Sequence, residues 1–171
     1  MKPPFRLEAL SGDHDRSGFS CGQESVDRYF RTQVTQDIRR RVAACFAAVD
    51  AGSEPGSGAV AAYYTLAAAG IPLTALPAAI RKKLPRYPSI PAVRVGRLAV
   101  DARYQGRGLG GALLADALAR VMASPAAAYA LLVDAIDDKA VAFYRRHGFI
   151  PLQSQAHTLF LPIATAERAL R

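Results

Sequence analysis

The chain is poor in the residues that staple small folds or hold metals. Only two of its 171 residues are cysteines, Cys21 and Cys45. Neither falls in a CxxC or Cys/His cluster, which argues against a disulfide framework and against structural zinc. Both read as free, partly buried thiols. The three histidines, His14, His147 and His157, are scattered, and no metal triad is apparent. No apolar run reaches the roughly 18 residues of a transmembrane helix. MKPPFRLEAL has a proline pair and Glu8 where a signal peptide needs an apolar stretch. A cytoplasmic protein with no membrane role is expected. There is no G-x-S-x-G elbow for a serine nucleophile and no GxxxxGK[ST] loop for a nucleoside triphosphate. Asp134, Asp137 and Asp138 lie together, but the last two straddle a helix start, where capping is the simpler role. Acid is scarcest in residues 51–110, which hold only Glu54 and Asp101 against eight Lys and Arg.

That scarcity concentrates the charge. The net charge is +8, and the middle third supplies six of those units, with one each from residues 1–50 and 111–171. A basic middle suits a polyanionic ligand, or a larger anion such as RNA lying across one face. It equally suits a plain basic surface. About half the residues are apolar, 51%, enough for one domain spanning residues 1–171 with a real core.

Periodicity gives the elements. Phe5–Leu10 alternates as a strand, and Ser11–Cys21 reads as a loop. Ser25 can cap one helix from Val26 to about Arg40, with Val26, Tyr29, Phe30, Val34 and Ile38 as its apolar stripe. Val42–Val49 and Ala59–Ala68 form a hairpin around a Gly/Ser/Pro turn, with Tyr63 and Tyr64 on opposite faces. Gly70–Pro91 is a proline-rich connection holding a short helix at Pro77–Leu84 and extended chain at Pro85–Pro91. Val93–Val100 is a strand, and Leu109–Met122 a helix buried along Leu109, Leu113, Ala117 and Val121. Tyr129–Ala135 is a buried strand. Lys139–His147 is a helix that Asp137 or Asp138 caps and Gly148 stops. His157–Leu161 is the last strand, and the final eight residues form a fraying helical tail. The order predicts an α+β (mixed α/β) domain around one mixed sheet.

The chemistry concentrates in residues 95–118. Gln105-Gly106-Arg107-Gly108-Leu109-Gly110 places three glycines at alternate positions between a strand and a helix. Such a turn brings backbone N–H groups to an anion without side chains in the way. The helix start adds unpaired N–H groups and a positive dipole end. The pattern is G-x-G-x-G, not the G-x-G-x-x-G of a dinucleotide fold. A pyrophosphate held by amides is one reading, with Arg103 able to approach it directly and Arg107 turned toward solvent. A tight strand-to-helix joint is the other. Ala140-x-x-Phe143-Tyr144 through Gly148-Phe149 is the second feature. A tyrosine hydroxyl, with an ordinary pKa near 10, is a poor base at neutral pH but can protonate a departing thiolate. Tyr144 beside Phe143 also reads as a core aromatic.

These two segments resemble the acetyl-coenzyme A core of the GNAT superfamily of N-acetyltransferases. Gln105-x-x-Gly108-x-Gly110 is similar to its pyrophosphate loop. Asp137-x-x-Ala140-x-x-Phe143-Tyr144-x-x-x-Gly148-Phe149 is similar to its second cofactor element, with Asp137 where Asn is more usual. Phe19-x-Cys21-Gly22, Asp27-x-Tyr29-Phe30, Tyr63-Tyr64-Thr65-Leu66 and Gly96-Arg97-Leu98-Ala99-Val100 extend the likeness over about 150 residues. They resemble one branch, the toxins of type II toxin–antitoxin modules that acetylate aminoacyl-tRNA.

The resemblance implies a GNAT fold, with a central twisted mixed sheet splayed at an acetyl-CoA cleft and flanked by helices. The splay falls between Leu98–Val100 and Leu131–Val133. Acetyl-CoA contacts are implied for Leu98, Ala99, Val100, Arg103, Gln105, Gly106, Arg107, Gly108, Leu109, Gly110, Gly111, Asp137 and Phe143, and the catalytic acid is Tyr144. The tRNA falls to the cations Arg39, Arg40, Arg41, Lys82, Lys83, Arg86, Arg94 and Arg97. A ribbon-helix-helix antitoxin is implied as partner, with operator DNA reached only through that complex, and a homodimer. Two alternatives keep the cofactor core: N-acetylation of a small amine or a protein N-terminus, and a non-catalytic acetyl-CoA-binding module.

Overall fold

The computed structural model describes residues 4–153 and 155–169. Along the chain come β1 (Phe5–Ala9), β2 (His14–Asp15), α1 (Glu24–Thr32), α2 (Val34–Arg39), β3 (Ala44–Asp50) and β4 (Gly58–Pro72). Then follow α3 (Ala78–Arg81), β5 (Ser89–Val100), α4 (Leu109–Ala123), β6 (Ala130–Asp134), α5 (Asp138–Arg146), β7 (Ile150–Leu152), β8 (Gln155–Pro162) and α6 (Ile163–Ala169). Short 3-10 turns sit at Leu73–Ala75 and Ala102–Tyr104. The strands join in the order β1-β3-β4-β5-β6-β8-β7, and β2 pairs with β4. The β5–β6 ladder is parallel and the β1–β3, β3–β4, β6–β8 and β7–β8 ladders are antiparallel, so the sheet is mixed, as predicted. Among the described residues no helix is long and apolar enough to cross a membrane. The chain forms two compact units, residues 1–67 with 96–117, and residues 68–95 with 118–171.

The first unit is built on aromatic packing. Phe30 of α1 stacks on Tyr63 of β4 at 3.9 Å between ring centroids, and Phe19 meets both edge-on. Offset and edge contacts of this kind suit the ring quadrupole. The Tyr63 hydroxyl donates to the Val26 carbonyl at 2.9 Å. Tyr64 faces the other way, onto Phe46 and the Asp116 carboxylate of α4. The predicted opposition of the two tyrosines is what the strand builds.

The helix predicted from Val26 to Arg40 is instead two. It starts at Glu24, its cap position is Gln23 rather than Ser25, and it breaks at Gln33. The Thr32 hydroxyl donates back to the Arg28 carbonyl at 2.7 Å, a bond that bends helices. Asp37 then ties the halves together, accepting from the Tyr29 hydroxyl at 2.8 Å and from Gln33 Nε2 at 3.1 Å. Residues His14 and Asp15, predicted as loop, pair briefly with β4.

The second unit has a mostly aliphatic core: Ile71, Leu76, Ile90, Leu132 and Leu152 are buried together with Phe160. That core explains the largest departure from the sequence reading. Ile71 and Ile90 are drawn into the sheet, so β4 runs on to Pro72 and β5 begins at Ser89, inside the predicted connection. The predicted helix Pro77–Leu84 shrinks to Ala78–Arg81. β7 is a strand that periodicity does not announce. The predicted tail is the helix α6, anchored by buried Ala166; residues 170 and 171 lie outside the described residues. β6 is buried except at Asp134, as predicted for an interior strand.

Candidate functional site

Strand β5 delivers the glycine turn. The parallel ladder with β6 pairs Val93, Arg94 and Val95 with Leu131, Leu132 and Val133, and ends there. The register therefore corrects one expectation in part: Leu131–Val133 are paired with Val93–Val95 rather than splayed, and Leu98–Val100 lie past the end of that ladder. At Gly96 a Cβ would meet Thr65 Oγ1 at 2.9 Å, and the same oxygen accepts the Arg97 N–H at 3.0 Å. Only glycine lets β5 approach β4 this closely. Ala99 is buried while Leu98 and Val100 are half-buried.

Past Val100 the chain is pinned. Asp101 is buried and caps the Ala102–Tyr104 turn, accepting the Arg103 N–H at 2.9 Å. Burial pushes its carboxyl up, but the hydrogen bonds from Arg103 and Ser20 outweigh this and hold it below the usual range. Gln105 Nε2 donates to the carbonyls of Val100 and Cys21, both at 2.9 Å. Gly106 and Gly108 then take φ of +79° and +80°, the left-handed region that glycine enters without penalty. A Cβ at either would face open space, so backbone conformation rather than crowding selects these glycines. The first helical bond of α4 runs from Ala112 N–H to the Gly108 carbonyl at 3.1 Å. The N–H groups of Leu109, Gly110 and Gly111 precede it and have no intrahelical acceptor. The turn thus presents bare amides at the positive end of a 15-residue helix.

The two arginines of the turn are placed differently. Arg103 is paired with Asp101 through Nε at 2.9 Å and Nη2 at 3.4 Å, which fixes the guanidinium and leaves its remaining N–H donors for an anion. Arg107 is exposed, its guanidinium 5.8 Å from the Tyr104 ring centroid.

In the second unit, Asp137 caps α5, accepting the Ala140 N–H at 2.8 Å. Asp138 takes His157 instead, at 3.0 Å. Tyr144 is buried, its ring edge-on to Phe143 and Phe149 at 5.2 and 5.5 Å. Among the described residues no side-chain oxygen or nitrogen is buried without a partner, and the Tyr144 hydroxyl makes no hydrogen bond there. Its hydroxyl is therefore the part of the residue left open. Burial first, then the charge of Asp134, pushes that hydroxyl up to about 12. Tyr144 is thus a packed aromatic whose hydroxyl holds its proton at neutral pH.

The predicted RNA-binding cations separate into groups. Arg97 in the first unit stacks over Tyr29, 3.7 Å from its centroid, a favourable cation–π distance. Arg39, Arg40 and Arg41 close α2, all exposed, with Arg41 at φ +59°. In the second unit Arg94 pairs with Asp134, which spends its charge locally. Lys82, Lys83 and Arg86 are exposed at the end of α3 and just beyond. The sequence reading passed over two neighbours there, Arg81 and the exposed Tyr87; an aromatic within a basic run was the available signal.

An acetyltransferase (GNAT) domain matches residues 80–161. The probable toxin TacT of Sinorhizobium fredii is 32% identical over 161 residues, 89% of this chain and 87% of that one. A tRNA-acetylating toxin of Mycobacterium tuberculosis is 33% identical over 142 residues, 82% of this chain and 81% of that one. Among solved structures, AtaT complexed with acetyl-methionyl-tRNAfMet matches with a TM-score of 0.85 and 31% identity, over 98% of this chain and 99% of that one. AtaTR bound with acetyl-CoA matches with a TM-score of 0.81 and 30% identity, over 98% and 99%. A KacTA–DNA complex matches at 0.78 and 27%, over 97% and 98%. Shared along nearly its whole length in sequence and in fold, this chain belongs to the GNAT acetyltransferases, in the company of the tRNA-acetylating toxins.

Proposed function

We propose that this chain is the toxin of a type II toxin–antitoxin module, which acetylates the α-amine of aminoacyl-tRNA and so blocks translation. The observation that carries the reading is the turn at 105–110, whose bare amides lead into α4 beneath two left-handed glycines. Acetyl-CoA supplies the acetyl group as an activated thioester. Its pyrophosphate fits the amides of Gly106, Gly108, Leu109, Gly110 and Gly111, since no Cβ crowds the two turn glycines. Leu98, Ala99 and Val100 offer strand backbone to the pantetheine arm.

The aminoacyl α-amine has an ordinary pKa near 7.7, so a large share is neutral at pH 7.5 and needs no strong protein base. The amine nitrogen bonds to the acetyl carbon, the carbon–sulfur bond breaks, and the proton that the nitrogen sheds to solvent balances the one that the thiolate takes up, so an amide and a thiol result. Tyr144 keeps its proton throughout the neutral range. At about 12 it is a weaker acid than a thiol near 8.5, so it acts by hydrogen bonding to the sulfur as negative charge grows there.

β4 and β5 each run through both compact units, so neither unit is a separable stretch of chain, and the two serve as one catalytic domain. A ribbon-helix-helix antitoxin neutralises the toxin, operator DNA is reached through that complex, and the toxin is a cytoplasmic homodimer. The test is labelled acetyl-CoA against bulk charged tRNA, with deacylated tRNA and small amines as controls. Label on charged tRNA alone is expected; label only on small amines overturns the reading.

A further inference from the structure

Between Glu54 and Asp101 the chain carries no acidic residue. Two of the cations in that interval have local partners, Arg94 on Asp134 and Arg97 on Tyr29. Arg81, Lys82, Lys83 and Arg86 have none: no ion pair among the described residues engages them. Beside them stands Tyr87, 60% exposed. Its ring touches no other ring, and its hydroxyl has no partner among the described residues.

The segment that carries them is not slack. Ile80 and Leu84 pack against the core of the second unit. The Leu73 N–H donates to the Pro88 carbonyl at 3.2 Å, and the Tyr87 N–H donates to the Pro85 carbonyl at 2.9 Å. Pro85 and Pro88 fix the backbone on either side of the ring. An aromatic face is thus held out to solvent on a rigid, cationic support. No other large apolar side chain is exposed between residues 77 and 88, and a protein hot spot needs a contiguous apolar centre. A lone ring among unpaired cations matches single-stranded nucleic acid, where bases stack on aromatics and Lys and Arg take the phosphates.

We propose that Tyr87 is a stacking platform for an unpaired base of the charged tRNA, with Lys82, Lys83 and Arg86 holding the flanking phosphates. This rests on the reading of tRNA as the substrate, and it adds a specificity contact that lies outside both cofactor elements.

The chain has no tryptophan, so Tyr87→Trp introduces a single indole. Titration with charged tRNA is expected to quench its fluorescence, half-saturating near the concentration that half-saturates acetylation. Tyr87→Ala is expected to raise KM for charged tRNA by roughly five- to a hundredfold, a loss that falls on KM rather than kcat, with KM for acetyl-CoA unmoved. Tyr87→Phe, which keeps the ring, stays within about twofold of wild type. An unquenched indole under conditions where acetylation proceeds, or a wild-type KM in Tyr87→Ala, overturns the proposal. So does a Tyr87→Ala variant that loses antitoxin affinity while its tRNA KM holds, since the ring then belongs to a protein interface. If wild type leaves charged tRNA unlabelled, the substrate reading itself fails, and that is visible before any variant is made.

Discussion

The buried Asp101 carboxylate accepts the backbone N–H of Ser20 at 3.1 Å, while the Ser20 carbonyl accepts the N–H of Ala102 at 2.8 Å. Ser20 is thus locked to two consecutive residues, Asp101 and Ala102, and the lock sits at the base of the glycine turn. Cys21, next in line, donates its N–H to buried Asp27 at 2.9 Å and gives its carbonyl to Gln105. The loop after β2 is therefore a brace for the turn.

Removing the brace should damage cofactor binding more than chemistry. Asp101→Ala leaves the Ser20 and Arg103 N–H groups without their acceptor; both bonds are only partly buried, so the cost is about 1–2 kcal/mol. The expected result is a lower urea midpoint and a raised KM for acetyl-CoA, with kcat at saturation much closer to wild type. A wild-type KM in a folded Asp101→Ala protein would separate the brace from the turn.

Tyr144→Phe keeps the ring and its edge contacts with Phe143 and Phe149 and deletes only the open hydroxyl. Single-turnover acetylation should fall at least about tenfold, the loss of one hydrogen bond to the sulfur where negative charge grows, with acetyl-CoA affinity nearly unchanged. The pH profile carries a second check. Because burial and Asp134 lift Tyr144 to about 12, wild-type kcat/KM should rise with pH through the amine's pKa near 7.7 and show no fall from Tyr144 below about pH 10. A descending limb between pH 8 and 10 that vanishes in Tyr144→Phe would show the hydroxyl losing its proton in that range and overturn the hydrogen-bonding role in favour of proton donation, whereas an unchanged single-turnover rate in Tyr144→Phe would remove Tyr144 from the reaction.

The elements with one dominant local signal were legible in the sequence. α4 was readable because Leu109, Leu113, Ala117 and Val121 repeat at helical spacing, and all four are buried. Asp137 announced itself as a cap and Gly148 as a stop, and both act so, with φ of +91° at Gly148. What failed was decided by tertiary packing. Prolines at 72, 85, 88 and 91 signalled connection, yet Ile71 and Ile90 found a core and pulled their neighbours into strands. The break at Gln33 follows from the Thr32 back-bond and from Asp37 reaching Tyr29, neither of which hydrophobic spacing records. In the candidate site, the glycines were legible from pattern alone, whereas the capture of Arg103 by Asp101 and of Arg94 by Asp134 depends on rotamers that spacing does not encode.

A carboxylate in the first unit contributes to acid sensitivity, beside Asp15, Asp37 and Asp101, which are also held below the usual range. Glu8 is held down at about 2, foremost by the Arg6 guanidinium, against burial, and then by His14 and the Gly56 N–H. His14 Nδ1 accepts the Ser11 N–H at 2.8 Å, so its Nε2 carries the hydrogen that Glu8 receives, also at 2.8 Å. A depressed carboxylate contributes stability that is fully present above the unfolded-state pKa of about 4.5 and lost as pH falls from there toward 2. Denaturant midpoints should hold from pH 7 to 5 and fall below 4.5. In Glu8→Gln the midpoint is lower at neutral pH and that part of the acid slope disappears. An identical acid slope in the variant would remove Glu8 as its source.

The cations should differ in their effect on salt dependence, although sequence treats them alike. Lys82 and Lys83 have no local acid, so charge reversal at both should raise KM for charged tRNA. It should also flatten the dependence of log KM on log salt by about 0.7–0.9 for each phosphate that is no longer neutralised. Arg94 is already neutralised by Asp134. Arg94→Gln should therefore leave the slope near wild type, and its cost should appear as lower stability from the unpaired Asp134. A salt titration of initial rates on charged tRNA reads both variants against wild type. Equal slopes for all three proteins would take the α3 segment out of RNA binding, and a larger change for Arg94→Gln than for the lysine pair would mean that tRNA displaces Asp134 to reach that guanidinium.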